Sequence, residues 1–433
     1  MKIFKNKFIA STFILILSGM ATKVLGLVIK IIFTRIVGTT TISLYSIVMP
    51  TYSLLLTIGT LAMPTTISKL IASKDDLKVL NSATILILLI NIFIILVMFI
   101  ASPFIANNLL KEPDAYYLLI AMSFTLPFAS LACILKGYYY GKQKMVPHVV
   151  SNTVEQIIRL ILVITIMPNL IKISYIYAAA GLILTSFFTE LASIIVFLLF
   201  MKKKDVINLA KIKYDRTDAK DILTLSVPSV ASRIVGNICY FFEPIILTNV
   251  LLYKGYSNSY ILLQYGAYNA YAISTLTIPS FFISAIASAL LPEISRFLQT
   301  HQYTLVKKRL KQAFIFTFII GLSFTFIIFV FRNDLLSFLY NTTLGSDYIK
   351  ILAPFFILFY FEAVFASFMQ AIGKVNVTLR ITIFAAIVKL ICISTLSLLK
   401  IGLYSLLLSE IINIILVVLL NYIYTQKYLT KII

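Results

Sequence analysis

Long apolar runs separated by short polar breaks set the pattern of this chain from about residue 8 to residue 425. Within each run the apolar positions are continuous instead of alternating, so the runs read as helices and not as strands of a membrane β-barrel. About 20 residues of helix cross the roughly 30 Å hydrocarbon layer of a bilayer. On that length the pattern predicts twelve spans, at roughly 8–34, 42–68, 83–106, 116–136, 146–168, 173–200, 222–252, 265–295, 312–331, 348–370, 379–399 and 402–425. The first is too long and too interrupted for a cleaved signal peptide, and further spans follow it. The predicted fold class is therefore an all-α polytopic membrane protein.

Composition agrees with the pattern. The 433 residues are 60% hydrophobic and only 12% charged, with a mean hydropathy of +1.00, too few charges to cover a soluble body of this size. The net charge of +21 would suit a nucleic-acid partner if it were clustered, but it follows the loops. Twenty-five of the 37 basic residues fall in loops on one side, among them Lys69, Lys142, Lys220, Lys307 and Lys427, and seven fall on the other. By the positive-inside rule both termini are cytoplasmic. Anionic membrane lipids are the partners this excess implies, and nucleic acid is not. Cys133, Cys239 and Cys392 lie within spans, show no metal or redox spacing, and read as small apolar fillers.

The longest charged loop, 201–221, has six spans on each side. It divides the chain into an N-terminal six-helix lobe (1–200), a cytoplasmic linker (201–221) and a C-terminal six-helix lobe (222–433). The halves echo each other in order. "SGMATKVLG" (18–26) pairs with "SVASRIVG" (229–236), "MPTTISKL" (63–70) with "LPEISRFL" (291–298), and "GKQKMVPHVVSNTVEQIIRLI" (141–161) with "GKVNVTLRITIFAAIVKLI" (373–391). Six spans is an even number, so the repeats are parallel and related by an axis along the membrane normal.

Five basic residues remain inside spans: Lys23, Lys30, Arg159, Arg233 and Lys389. A base facing lipid at mid-depth costs about 2.5–3.5 kcal/mol on insertion scales, so the spans that carry them, 1, 5, 7 and 11, are expected to line a hydrated cleft. Lys23 and Lys30 lie seven residues apart, two turns or about 10 Å along one helix face. Together the five make a candidate cationic surface for an anionic substrate. Each has a plainer alternative. Lys30 sits near the outer end of its span, where it could simply reach the headgroups, and Glu155 with Arg159, at i and i+4, forms either a cavity pair or a structural one. Glu243 precedes Pro244 in mid-span, where a proline breaks the helix ladder. A carboxylate there is either a sodium or proton coupling site or the counter-ion of a neighbouring base. No other cofactor and no metal is expected.

Residues 18–72 ("SGMATKVLGLVIKIIFTRIVGTTTISLYSIVMPTYSLLLTIGTLAMPTTISKLIA") and 136–163 ("KGYYYGKQKMVPHVVSNTVEQIIRLILV") resemble the stage V sporulation protein B group of polysaccharide-biosynthesis transporters. These belong to the MOP exporter superfamily, with the MATE drug exporters and the MurJ lipid II flippases. The resemblance covers residues 10–165 most strongly and implies two six-helix lobes around a V-shaped central cavity. It implies flipping of an undecaprenyl-pyrophosphate-linked sugar, such as lipid II or a related cell-wall or polysaccharide precursor, from the inner to the outer leaflet. MurJ-type relatives read "SRVLGFVRD" where this chain has "TKVLGLVIK": Lys23 stands for the first arginine, Ile29 for the second and Lys30 for the aspartate. Basic character is kept, while the acid and the bidentate geometry of arginine are lost.

Three functional classes compete. A flippase needs a cationic, hydrated path for a pyrophosphate, which the buried bases supply, and Tyr138, Tyr139 and Tyr268 would stack on sugar faces if they face the cavity. A cation-coupled drug antiporter on the same fold needs acids and aromatics in its cavity; span 1 has no acid, and net basic walls repel cations. A membrane scaffold that associates with cell-wall synthesis enzymes is the third. An enzyme is disfavoured: the outer loops are short, without acid, histidine or serine–histidine clusters, and no glycine-rich phosphate loop is present. The expected place is the bacterial plasma membrane. The charge distribution predicts that a cysteine placed at Lys211 stays unlabelled by an impermeant maleimide in intact cells and is labelled after permeabilisation; labelling from outside would invert the topology.

Overall fold

The computed structural model describes residues 7–74, 77–202 and 215–432. Most of the linker, 203–214, with Lys211 in it, lies outside these residues. Among them there is no strand, and eleven helices are long and apolar enough to cross a membrane. The first of the eleven, Ala21–Lys74, takes in the second half of the first expected span and all of the second. The chain forms two compact units, Met1–Phe241 and Phe242–Ile433, so the first part of the seventh span packs with the first unit.

In the first unit α1 runs Lys7–Thr60, α2 Met63–Lys74, α3 Lys78–Phe104, α4 Ala115–Gly141, α5 Val146–Ile173 and α6 Tyr175–Phe200. The seventh, α7, spans Arg216–Tyr253 and leads into the second unit. There α8 is Asn258–Gly266, α9 Ser274–Leu276, α10 Ser280–Gln299, α11 Tyr303–Val330 and α12 Arg332–Tyr340. It closes with α13 Ser346–Phe359, α14 Phe361–Ala371, α15 Val375–Leu396 and α16 Tyr404–Ile432.

As a straight rod the 54 residues of α1 would reach about 80 Å, far beyond one bilayer. Gly38 divides it. Its φ of 75° and ψ of −178° lie in a region that only glycine enters without strain, so spans 1 and 2 meet at one residue and not across a loop at 35–43.

Two further breaks leave carbonyls that the apolar surroundings cannot hydrate, and side chains take them up. Leu61 and Ala62 adopt positive φ between α1 and α2. The Gly59 carbonyl, released there, accepts from Asn91 Nδ2 (3.2 Å) and Ser130 Oγ (3.0 Å). A Cβ at Gly59 would stand 2.9 Å from Asn91 Oδ1, so a larger residue there would push aside the amide that holds the Gly59 carbonyl. The eighth span is not the continuous helix expected over 265–295: a π-helical turn, Ala267–Ile273, leads to a break before α10. Pro279 cannot donate to the ladder, Ser280 N turns to Thr277 O (3.0 Å), and the freed Leu276 carbonyl accepts from the Tyr360 hydroxyl (2.7 Å). By contrast, the break expected beside Glu243 is absent, because α7 stays helical through Pro244.

Each unit has its own core where a helix carrying one of the echoed motifs packs. In the first, Met63, Ile67 and Leu70 of α2 meet Leu80 and Ile87 of α3, Ile134 of α4 and Phe197 of α6. In the second, Ile294 and Phe297 of α10 meet Leu310 of α11 and Phe368 of α14. Elsewhere large apolar side chains such as Phe93, Phe99 and Ile100 are exposed, as lipid-facing surfaces require. After the linker, Asp215 accepts from both the hydroxyl and the amide of Thr217 (2.7 Å each), which holds its carboxyl below the usual carboxylate range. Lys74 then ties α2 to α7 through Asp218 (2.9 Å) and Asp221 (2.7 Å).

Gly38→Ala is expected to lower stability by about 1–3 kcal/mol through backbone strain alone, since nothing lies within 4 Å of the added carbon. Gly19→Ala, in helical backbone with the same open space, should be neutral or stabilising. Thermal unfolding in detergent compares them; equal melting temperatures would mean that the turn at Gly38 is not what joins the spans.

Candidate functional site

The five intramembrane bases divide into two groups. Arg159 of α5 donates through Nη2 to Glu155 Oε1 (3.0 Å), one turn before it, and to Thr189 Oγ1 of α6 (3.2 Å). Lys389 of α15 places Nζ between two carboxylates, Glu243 Oε2 of α7 at 2.5 Å and Glu410 Oε2 of α16 at 2.6 Å. The side chains of that triad are 15%, 4% and 13% exposed in the order Lys389, Glu243, Glu410. Glu362 of α14 lies within electrostatic range of Glu410. With every group ionised, the three carboxylates outnumber the one ammonium. Of the bases expected to form a single cationic surface, these two are already held by acids.

Lys23, Lys30 and Arg233 form the other group, and all three lie in the first unit. The buried stripe of α1, Ile29, Phe33 and Val37, packs inward, and Lys30 and Lys23 lie at one edge of it, about 60° and about 80° around the helix from its centre. Lys23 is exposed and Lys30 half-buried. Arg233 is exposed on α7 and lines a cavity of about 260 Å³. Its other walls are Leu56, Thr57 and Thr60 of α1, Ala62, Ala129 and Cys133 of α4, Glu190 of α6, and Val230 of α7. Asn237, one turn beyond Arg233, donates to Thr57 Oγ1 (2.6 Å) and fastens α7 to α1.

Tyr138, Tyr139 and Tyr268 do not serve as sugar platforms. All three are buried, and Tyr139 stacks on Phe197, with centroids 5.4 Å apart, while its hydroxyl donates to the Phe197 carbonyl. Sequence reasoning missed the pairing of Glu410 with Lys389 and the cavity roles of Glu190, Thr57 and Thr60. One signal was available: a base with no acid at helical spacing in its own span must find one on another.

The architecture defines a class: an all-helical protein with, among the described residues, eleven helices long and apolar enough to cross a membrane and charged side chains within them. A solved structure described as the inward-facing conformation of a multidrug resistance MATE family transporter of the MOP superfamily matches the fold, with a TM-score of 0.77 and 15% identity, over 95% of each chain. A family model described as "Polysaccharide biosynthesis protein" matches residues 8–298, and one described as "MatE" matches 266–394. Stage V sporulation protein B of Bacillus subtilis (strain 168) is 32% identical over 398 residues, 89% of this chain and 77% of that one. Lipid II flippase MurJ of the same organism is 27% identical over 183 residues, 39% of this chain and 34% of its own length. The chain belongs to the polysaccharide biosynthesis protein family.

Removing the ammonium from the triad would leave its carboxylates facing each other in a low-dielectric interior. Lys389→Met is expected to destabilise the protein by about 3–5 kcal/mol, and adding Glu243→Gln with Glu410→Gln should recover most of the loss. Melting curves of the purified variants check this. Wild-type stability of Lys389→Met alone would mean that the ion pairs do not hold these helices.

Proposed function

We propose that the protein is a flippase that moves an undecaprenyl-pyrophosphate-linked sugar, with lipid II or a related cell-wall precursor foremost, from the inner to the outer leaflet by alternating access. It resides in the bacterial plasma membrane with both termini cytoplasmic, and it does no covalent chemistry on the sugar. The observation that carries the reading is a set of bases within the helices of the first unit: Lys23 and Arg233, at echoed positions and both exposed, with Lys30 two turns beyond Lys23. Family membership and the likeness to a protein named a lipid II flippase support it. In this reading Lys23, Lys30 and Arg233 receive the pyrophosphate. Arg159 and Lys389, held by Glu155 and by the Glu243–Glu410 pair, set the helices that frame the path. Association with cell-wall synthesis enzymes would place the product where it is used.

Charge then matters more than shape. Lys23→Arg should retain most transport, Lys23→Ala should lose about tenfold, the equivalent of one charge-assisted hydrogen bond, and Lys23→Glu should be worse. Lys30→Ala should be milder. The assay is appearance of labelled lipid-linked precursor in the outer leaflet, with expression and monodispersity measured alongside. Normal flipping by both Lys23→Ala and Lys23→Glu would make these lysines anchors.

The carboxylate excess around Glu243 is the place for coupling to sodium or protons, so Glu243→Gln should slow transport and abolish its dependence on either ion. Unchanged ion dependence would leave Glu243 a structural counter-ion of Lys389. The same excess of acids favours a second reading, a cation-coupled drug antiporter. Extrusion of a lipophilic cationic dye, with no flipping of lipid-linked sugar, would select it.

A further inference from the structure

We propose that the 260 Å³ cavity between α1, α4, α6 and α7 seats a single pyranose ring bearing an anionic substituent; this rests on the flippase reading and assigns part of its substrate to a place. The argument is an inventory of hydrogen-bonding groups. Glu190 and Arg233 both line the cavity, yet among the described residues neither forms an ion pair. An acid and a base that share a cavity without closing on each other leave room for a group between them.

The hydroxyls are committed in one direction. Thr57 Oγ1 donates to Ser53 O (2.9 Å) and Thr60 Oγ1 to Leu56 O (2.7 Å), and Thr57 also accepts from Asn237. A threonine has one proton and two lone pairs, so Thr60 offers the cavity acceptors only. Glu190 adds its carboxyl oxygens as further acceptors. The occupant must therefore present several O–H or N–H donors toward α1 and α6. On α7 the polarity reverses: Arg233 offers up to five donors and no acceptor, which suits an anionic oxygen, best a phosphate. Leu56, Ala62, Ala129 and Val230 supply apolar patches for the C–H edges of a ring.

Size narrows the occupant further. At about 30 Å³ per water the cavity holds the equivalent of eight or nine waters, and it falls short of the roughly 300–1,000 Å³ of drug-sized sites. One ring with its substituent fits; a disaccharide or a peptide-bearing headgroup does not fit whole. A free inorganic phosphate would leave the acceptor side unmatched, and a glycerophosphate would meet it with fewer donors than a sugar.

Cys133, in the cavity wall, is a native reporter. In full-length protein carrying Cys239→Ala and Cys392→Ala, the rate of Cys133 modification by methyl methanethiosulfonate is measured with N-acetylglucosamine 1-phosphate, glycerol 1-phosphate or inorganic phosphate at millimolar concentration. The sugar phosphate should slow modification at least threefold and the other two by less than half as much. Glu190→Gln and Arg233→Gln should each abolish protection while Cys133 still reacts. A melting-temperature rise with sugar phosphate, absent in Arg233→Gln, checks binding independently of the thiol. Equal protection by glycerol 1-phosphate would assign the cavity to a phospholipid headgroup and overturn the sugar assignment, as would equal protection by phosphate alone or no protection and no thermal shift. Flipping of lipid-linked precursor is followed in the same preparations. Normal flipping without sugar-phosphate binding sinks this cavity and leaves the flippase reading standing, whereas binding without flipping does the reverse.

Discussion

A peptide group in hydrocarbon has no water to turn to, and this constraint shapes the helix breaks after Gly59 and after Leu276. Each unsatisfied backbone group at depth costs several kcal/mol, so a break survives only where side chains take up the released carbonyls. Asn91 and Ser130 do so at Gly59, and the Tyr360 hydroxyl does so at Leu276. These polar side chains are buried in units that are otherwise apolar. Pro244 shows the converse, because proline by itself leaves α7 helical at both Pro228 and Pro244 when no second feature turns the chain.

The break after Gly59 also shapes the cavity in the first unit. Thr57 and Thr60 stand on the last turn of α1 and Ala62 on the turn that follows, and all three line it. Asn237 reaches Thr57 and fixes the start of α7 against that last turn, which brings Arg233 into the wall. A device that satisfies the backbone thus positions a base, and the charged residue inherits its place from the packing around it.

Charge is handled differently in the two units. In the first, one base is neutralised locally by Glu155 while Glu190 and Arg233 face an open cavity without joining. In the second, a single ammonium lies between two carboxylates, with a third carboxylate near. An ammonium enclosed in this way is a poor ligand for a pyrophosphate, since substrate would have to displace carboxylates at 2.5 and 2.6 Å. An exposed guanidinium on a cavity wall carries no such penalty. The same residue type inside a span therefore serves two ends, and its surroundings decide which.

By itself the sequence determined the class of molecule, the presence and order of most of its long apolar helices, and which charged residues those helices carry. All of these are local properties: run length, hydropathy and spacing along one helix. The Glu155–Arg159 pair was legible for the same reason, since four residues is one helical turn. Only the tertiary structure decided that Lys389 is held by Glu243, 146 positions away in the chain, that Tyr139 packs against Phe197, and that Glu190 and Arg233 share a cavity without pairing. Those relations depend on which faces of different helices meet. Apolar helices in a bilayer carry little sequence signal for that, because lipid and a neighbouring helix are almost equally apolar solvents.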